Sequence, residues 1–445
     1  MQGDAIDRLG AALESGREAL PLVRIGGTIQ EVTASSARVA GVGAFVRLGD
    51  RMGFSAGGRE EVAEVVRVDA GGVTLKPFAS RIEAGIGTPA FRLGDPVLRP
   101  DQSWKGRVID ALGRPVDGGG ALAPGPVAVP VDASPPPAME RARVRDALRT
   151  GVRAFDLFTP LCFGQRIGVF AGSGVGKSTL LAMLARAQGF DSVVVALVGE
   201  RGREVREFLD GAMAASRDRA VIVVSTGDES PMMRRQAPKV AMAIAESFRD
   251  RGEAVLLIVD SVTRYAHAAR DVALAAGEPA VARGYPPSVF SDLPRLLERA
   301  GPGLDRPGAS GSITGIFAVL VDGDDHNDPV ADSIRGTLDG HVVLDRGIAE
   351  QGRYPAIDLL GSISRLAGEV WTPEQRELVR RLKAMMARFE ETRDLRLMGG
   401  YRAGEDPELD QAILLVPRIY EGLRQEPHMA PSEDAFLELA QSLRG

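Results

Sequence analysis

Apolar and polar positions change rhythm several times along this chain. Between residues 21 and 98 they alternate in short bursts cut by glycine: IGGTIQEV, ARVAGVGAFVRLG, EVAEVVRVDAGGVTLKPF and FRLGDPVL. A period of two turns one side of each burst to a core and the other to water, and strands spaced by turns at this density predict a small closed β-barrel. DAGG at 69–72 is the expected hairpin turn within it. Ahead of the barrel, Asp4 offers a helix cap and Ile6, Leu9 and Leu13 share a face, which predicts a short amphipathic helix within residues 1–20.

After the barrel the texture changes. Residues 99–137 hold WKGRVIDALGRPVDGGG and then APGPVAVPVDASPPP, too rich in proline for a sheet interior, so the segment is expected to be an extended connector. From 138 to 368 apolar runs alternate with helical patterns, and 166–171, 193–198, 220–225, 254–259 and 313–321 are candidate buried strands. Nearly continuous apolar strands separated by helices predict an α/β domain with a parallel sheet covered on both faces. Over 369–445 the strands stop. Thr372, Pro373 and Gln375 form a capping-box start, Leu378, Leu382, Met385 and Phe389 continue a helical stripe, and Gly399 and Gly400 end it. Asp406 with Pro407, and Ser432 with Glu433 and Asp434, start two more helices, so this part is a helical domain.

Composition narrows the class. The 445 residues suffice for two or three domains, and 44% hydrophobic with 26% charged content is that of a soluble globular protein. The N-terminus lacks an apolar signal core and no apolar run is long enough to span a bilayer. A single cysteine, Cys162, excludes an internal disulfide, so a reducing cytoplasm is expected, and the thiol itself is expected to be a small buried side chain. The net charge of −6 argues against a surface built for nucleic acid. Four scattered histidines form no metal cluster, and the acidic run DGDDHND at 322–328 lacks the alternation and terminal glutamate of a calcium loop.

Chemistry enters at AGSGVGKS, residues 171–178, which follows the apolar run IGVF and leads into a helical pattern. Gly172, Gly174 and Gly176 let backbone N–H groups approach a phosphate chain. Lys177 adds a cation toward the β/γ-phosphates and the Ser178 hydroxyl is placed for Mg²⁺. With Ser173, Val175 and Thr179 these residues are the candidate nucleotide-binding set; Ala171 stands where the strict pattern has glycine. An ATP-hydrolysing site also needs an acid for the metal shell and one to orient water. Asp260 ends VLLIVD and Glu200 ends VVVALVGE, so both emerge at the edge of the sheet where ligands of α/β folds bind. Taken singly, each is equally read as a helix cap or solvated turn; together with the loop they predict a hydrolase.

GERGREV at 199–205, LLIVDSVTRYA at 256–266, ARGYPPSVFSDLPRLLERAG at 282–301, VDGDDHNDPVADSIRG at 321–336 and RYPAIDLLGSISR at 353–365 follow the loop in order. GRVIDALGRPVD at 106–117 and GGYRAGEDPELDQAI at 399–413 extend the series. Together they resemble the rotary ATP synthase catalytic subunit superfamily, and within it the type III secretion ATPases, in particular the flagellar protein-export ATPases. The resemblance implies a β-barrel, a RecA-like core and a helical C-terminal domain in a ring of six, with ATP and Mg²⁺ between neighbours. It gives Lys177, Glu200, Arg201 and Arg365 catalytic roles, Ser178 and Asp260 the Mg²⁺ shell, Tyr354 a stacking contact with adenine, and Arg365 the part of an arginine finger toward the neighbouring subunit. By sequence alone Tyr354 is read first as a core aromatic before a proline and Arg365 as a surface salt-bridge residue, and only the resemblance reverses that. His267, Ala268 and Ala269 depart from the family's common Met, Ala, Gln.

Glutamate at 200 separates the chain from the superfamily's noncatalytic subunits, which usually carry glutamine there, since a carboxylate polarises water and an amide does so poorly. GEPAVARGYPPSVF at 277–290 resembles the segment lining the ring's central hole, where a coiled-coil stalk sits. The implied activity is hydrolysis that energises flagellar type III protein export, with an export gate and chaperone-bound substrates as further partners, at the inner face of the bacterial membrane. The injectisome ATPases of virulence secretion share every catalytic residue and stand as the alternative. A RecA-like hexameric RNA helicase would need stacking aromatics, whereas residues 1–100 hold no tyrosine and only Phe45, Phe54, Phe78 and Phe91. The N-terminal helix either docks a regulator or membrane surface or packs on its own barrel, and its acids disfavour anionic lipid.

Overall fold

The computed structural model describes residues 23–305, 311–321 and 328–444. The expected N-terminal helix and most of the acidic run at 322–328 lie outside them. The chain divides into two compact units, one ending at Pro96 and including Val272–Glu278, the other comprising Val97–Asp271 and the chain from Pro279 onward.

Six strands make the first unit: β1 Gly26–Val32, β2 Ala37–Ala40, β3 Arg51–Ala56, β4 Arg59–Asp69, β5 Gly72–Pro77 and β6 Pro89–Gly94. They close into a barrel in the order β1-β2-β5-β4-β3-β6. Alternation does what the pattern predicts: Ile29, Val39, Met52, Phe54, Val65 and Leu75 are buried inside. The turn falls at Ala70 and Gly71, with Asp69 paired to Gly72. Gly72 is required there, because its φ is 134° and an added Cβ would sit 2.4 Å from the Val39 carbonyl oxygen. Asp50, 1% exposed, is answered by Arg92 at 2.8 Å.

The second unit is built on a sheet whose main strands are β7 Val108–Asp110, β8 Arg166–Ala171, β9 Ser192–Glu200, β10 Ala220–Thr226, β11 Ala254–Asp260, β12 Ser312–Leu320, β13 Gly340–Leu344 and β14 Ile357–Ser364. Their order is β14-β13-β8-β12-β11-β9-β10-β7, and every neighbouring pair is parallel except β13 with β14. The five expected strands are all present. Three further ones escaped the pattern: β7, inside the stretch expected to be connector, and the outer strands β13 and β14. These last two are half-buried, so they lack the unbroken apolar run of β9, and β7 is short. Arg107 fastens β7, clasping Asp117 at 2.7 and 2.9 Å.

Successive residues of β9 serve opposite layers. Val193, Val195 and Leu197 join one core, and Val194, Ala196 and Val198 the other. The first core takes helix α1 Lys177–Ala185 and residues of α2 Gly202–Glu207; the second takes α3 Pro231–Arg249, α4 Val262–Ala275, α5 Pro287–Leu297 and α6 Pro329–Thr337. Three C-terminal helices, α7 Pro373–Glu391, α8 Pro407–Leu423 and α9 Ala435–Arg444, pack into the first core. The Thr372–Gln375 capping box is present. The helix it opens stops earlier than expected: Thr392 leaves helical geometry at φ −93°, ψ 7°, and a separate turn, Arg393–Leu397, precedes Gly399. Its buried stripe is Val379, Leu382 and Met386, while Leu378 faces solvent.

Candidate active site

Strand β8 delivers the chain to the sheet edge at Ala171, flanked by Leu320 and Leu344. The loop that follows turns on Gly174 and Gly176, whose φ angles of 77° and 95° lie in the left-handed region. Val175, 2% exposed, plugs the loop into the core, while Ser173 and Gly174 face outward. Arg346 donates to the Ser173 carbonyl at 3.2 Å. Helix α1 begins at Lys177 with Gly176 as its N-cap, and no side chain caps it. Its first-turn N–H groups therefore point at the loop's concavity, where an anion satisfies them.

Glu200 and Asp260 are the last residues of β9 and β11, neighbouring strands, and are 8% and 2% exposed. The Lys177 ammonium donates to Asp260 Oδ1 and lies 3.8 Å from Glu200 Oε1. Arg264, in the first turn of α4, sets its Nη1 2.6 Å from the same Glu200 oxygen. Burial raises the Glu200 carboxyl above its ordinary pKa, aided by a hydrogen bond with Glu204 and opposed by Arg264 and Lys177. That same bond to Glu200 lowers Glu204. Ser178, Thr179, Glu200, Glu204 and Asp260 line a cavity of about 570 Å³, which Phe208 and His428 also border.

The remaining predicted residues divide. Tyr354 lies against the loop: a Cβ at Gly176 would meet its ring at 3.5 Å, and its carbonyl accepts from the Gln425 amide at 2.9 Å. Arg201 does not join the cavity. Its side chain is 86% exposed and 3.7 Å from Glu204. Arg365 stands at the other edge of the sheet, because antiparallel β14 pairs Ile357 with Leu344 beside the loop but Ser364 with Gly340 at the far end. Its amide donates to the Asp339 carbonyl at 2.9 Å, and its exposed guanidinium has no hydrogen bond or ion pair among the described residues.

Sequence reasoning missed Arg264, Glu204 and Arg346. A signal existed for the first two: each follows a strand-end acid by four residues, one helical turn on. Among the described residues no three His, Cys, Asp or Glu side chains converge as a metal site of their own. One hydroxyl and one carboxylate beside a phosphate cradle nevertheless suit Mg²⁺, which takes few protein ligands and completes its shell with phosphate and water.

The model of the ATP synthase alpha/beta family, nucleotide-binding domain, matches residues 151–364, and that of the T3SS EscN ATPase C-terminal domain matches 371–441. The chain is 56% identical to a flagellum-specific ATP synthase of Agrobacterium fabrum, covering 94% of this chain and 88% of that one. It is 46% identical to the SPI-2 type 3 secretion system ATPase of Salmonella typhimurium, over 93% of each. Among solved structures it is similar to the assembled ATPase EscN of enteropathogenic E. coli, with TM-score 0.87 and 39% identity over 94% of this chain and 100% of that one. EscN in complex with its central stalk EscO matches with TM-score 0.83 and 40% identity, at the same coverage.

Proposed function

Because the chain belongs to the family of flagellum-specific ATP synthases and type III secretion ATPases, we propose that it hydrolyses ATP as a ring of six copies and so energises flagellar protein export. The flagellar assignment is favoured over the injectisome by the higher identity to the flagellar relative. A coiled-coil stalk in the central hole is the partner supported by the stalk complex of EscN. A regulator at the N-terminal helix, an export gate and chaperone-bound substrates complete the set, with the ring at the cytoplasmic face of the inner membrane. No helix among the described residues is long and apolar enough to cross a membrane.

The amides of residues 172–176 and Lys177 bind the phosphates, and Thr179 lies in the same cradle. Ser178 and Asp260 would hold Mg²⁺, which would supply positive charge against the phosphates. Glu200 orients the attacking water and accepts its proton, a task suited to a buried carboxylate of raised proton affinity. Arg264 fixes that carboxylate, and Tyr354 stacks on the base. Arg365 completes a neighbour's site. A finger supplied in trans contributes about 10³ to 10⁵ in rate.

The observation that carries this reading is the convergence of Lys177, Glu200 and Asp260 at one sheet edge with Arg365 at the other. Specific ATPase activity should rise with protein concentration and collapse in Arg365→Ala while nucleotide binding by the isolated chain persists. Activity independent of concentration and indifferent to Arg365→Ala would sink the ring mechanism.

A further inference from the structure

The first turn of α4 is held at three points on different sides. Thr263 is tied to the end of β12, its hydroxyl accepting from the Leu320 amide at 2.8 Å and lying 3.2 Å from the Leu320 carbonyl. Arg264 reaches Glu200. Tyr265, fully buried, turns away from the site and donates its hydroxyl to Asp292 Oδ2 of α5 at 2.7 Å. Burial and the neighbouring Asp292 push the phenol well above its ordinary pKa, so it stays a donor. Lys239 of α3 lies 3.5 Å from the same Asp292 oxygen and 3.1 Å from Asp132. Asp292 is thus braced from behind.

Helix α5 follows the segment 279–286, whose Tyr285 is 5% exposed and rests on the same helix α4, stacked with His267 at 6.1 Å and beneath Arg270 at 5.2 Å. Consecutive residues of a helix point about 100° apart, and here Arg264 and Tyr265 reach two different neighbours, Glu200 and Asp292, so the turn that carries them connects the two.

We infer that Tyr265 and Asp292 are positioning residues for hydrolysis: through one helical turn they hold Arg264 against Glu200 and make that contact sensitive to the segment before α5. This deepens the proposed reading and rests on it, since it takes Glu200 as the catalytic carboxylate. Nothing in the chemistry of Tyr265 touches nucleotide. Its effect runs through the placement of Arg264.

The test is a double-mutant cycle on the full chain, followed by steady-state ATP hydrolysis without stalk. Tyr265→Phe should lower kcat about five- to tenfold, the scale of one hydrogen bond, with KM for ATP unchanged. Asp292→Ala should match it, and Asp292→Asn, which keeps an acceptor for the phenol, should stay within about twofold of wild type. In an Arg264→Gln background the Tyr265→Phe effect should vanish. An equal loss in both backgrounds, or a lowered melting temperature with kcat intact, overturns the inference and assigns Tyr265 to packing alone. Wild-type turnover abolished by Glu200→Gln shows separately that the underlying reading stands.

Discussion

Replacing Glu200 by glutamine keeps the shape of the side chain and removes its charge. In the folded chain that charge is 2.6 Å from Arg264 and 3.8 Å from Lys177, attractions of about 6 and 4 kcal/mol at an effective dielectric near 20. Neither cation is removed in Glu200→Gln, so losing the carboxylate makes the site more positive by one charge and its hold on a triphosphate strengthens. Loss of the base acts in the opposite direction on turnover, by about 10² to 10⁴, the usual range for a positioned proton acceptor. The two effects therefore part company: kcat falls by two orders of magnitude or more while the Kd for ATP stays equal or drops. Steady-state phosphate release, with a fluorescent ATP analogue titrated in parallel, separates them. A variant that retains more than about a tenth of wild-type turnover refutes Glu200 as the base, because Gln cannot accept the proton. A variant that no longer binds nucleotide refutes the electrostatic accounting instead.

Three further outcomes follow from local environments. Asp117 accepts from Arg107 and from the amides of Val108 and Gly119, which hold its carboxyl far below the carboxylate range, the arginine contributing most. A depressed folded pKa gives stability that is complete above the unfolded value near 3.8 and lost as pH falls; Asp117→Asn should therefore cost about 2–3 kcal/mol in urea unfolding at pH 7, and the gap from wild type should close on acidification. Burial pushes the Cys162 thiol up to about 11, so a maleimide at pH 8 should label it only after denaturation, and rapid labelling of the native protein would contradict its placement. Tyr354→Ala should raise KM for ATP roughly three- to tenfold, the worth of one aromatic stack, with Tyr354→Phe near wild type; equal effects of the two would point to the hydroxyl rather than the ring.

The loop and the two strand-end acids were legible because each obeys a local rule. Glu200 ends a strand buried on both faces, so the apolar run itself marks where its side chain leaves the core. Arg201 shows where local rules stop. It adjoins Glu200 in sequence, but the backbone there is extended, with φ −71° and ψ 140°, and successive residues of extended chain point to opposite sides. The basic partner of Glu200 is instead Arg264, which reaches it from another element across a register that no single segment specifies. β13 and β14 escaped notice because each buries only three residues, separated by half-buried or exposed ones, a pattern too short to stand out. The barrel, with its six alternating strands, did stand out.

A parallel sheet has a direction, and that direction decides which groups one chain can bring together. All the strands that bear the phosphate loop, Glu200 and Asp260 end at the same edge, so every group they carry collects there. Among the described residues the only main strand that runs the other way is β14. It starts just after Tyr354, against the loop, and ends just before Arg365, whose amide bonds Asp339 beside the start of β8; the loop leaves the other end of β8 at Ala171, five residues on at about 3.3 Å each, roughly 17 Å away. No side-chain movement bridges that distance, since an arginine reaches about 7 Å from its Cα, roughly two residues of extended chain. Arg365 therefore has no route to the phosphates held by its own chain. If it acts in hydrolysis it acts on another copy, whose phosphate loop must then come to this edge of the sheet.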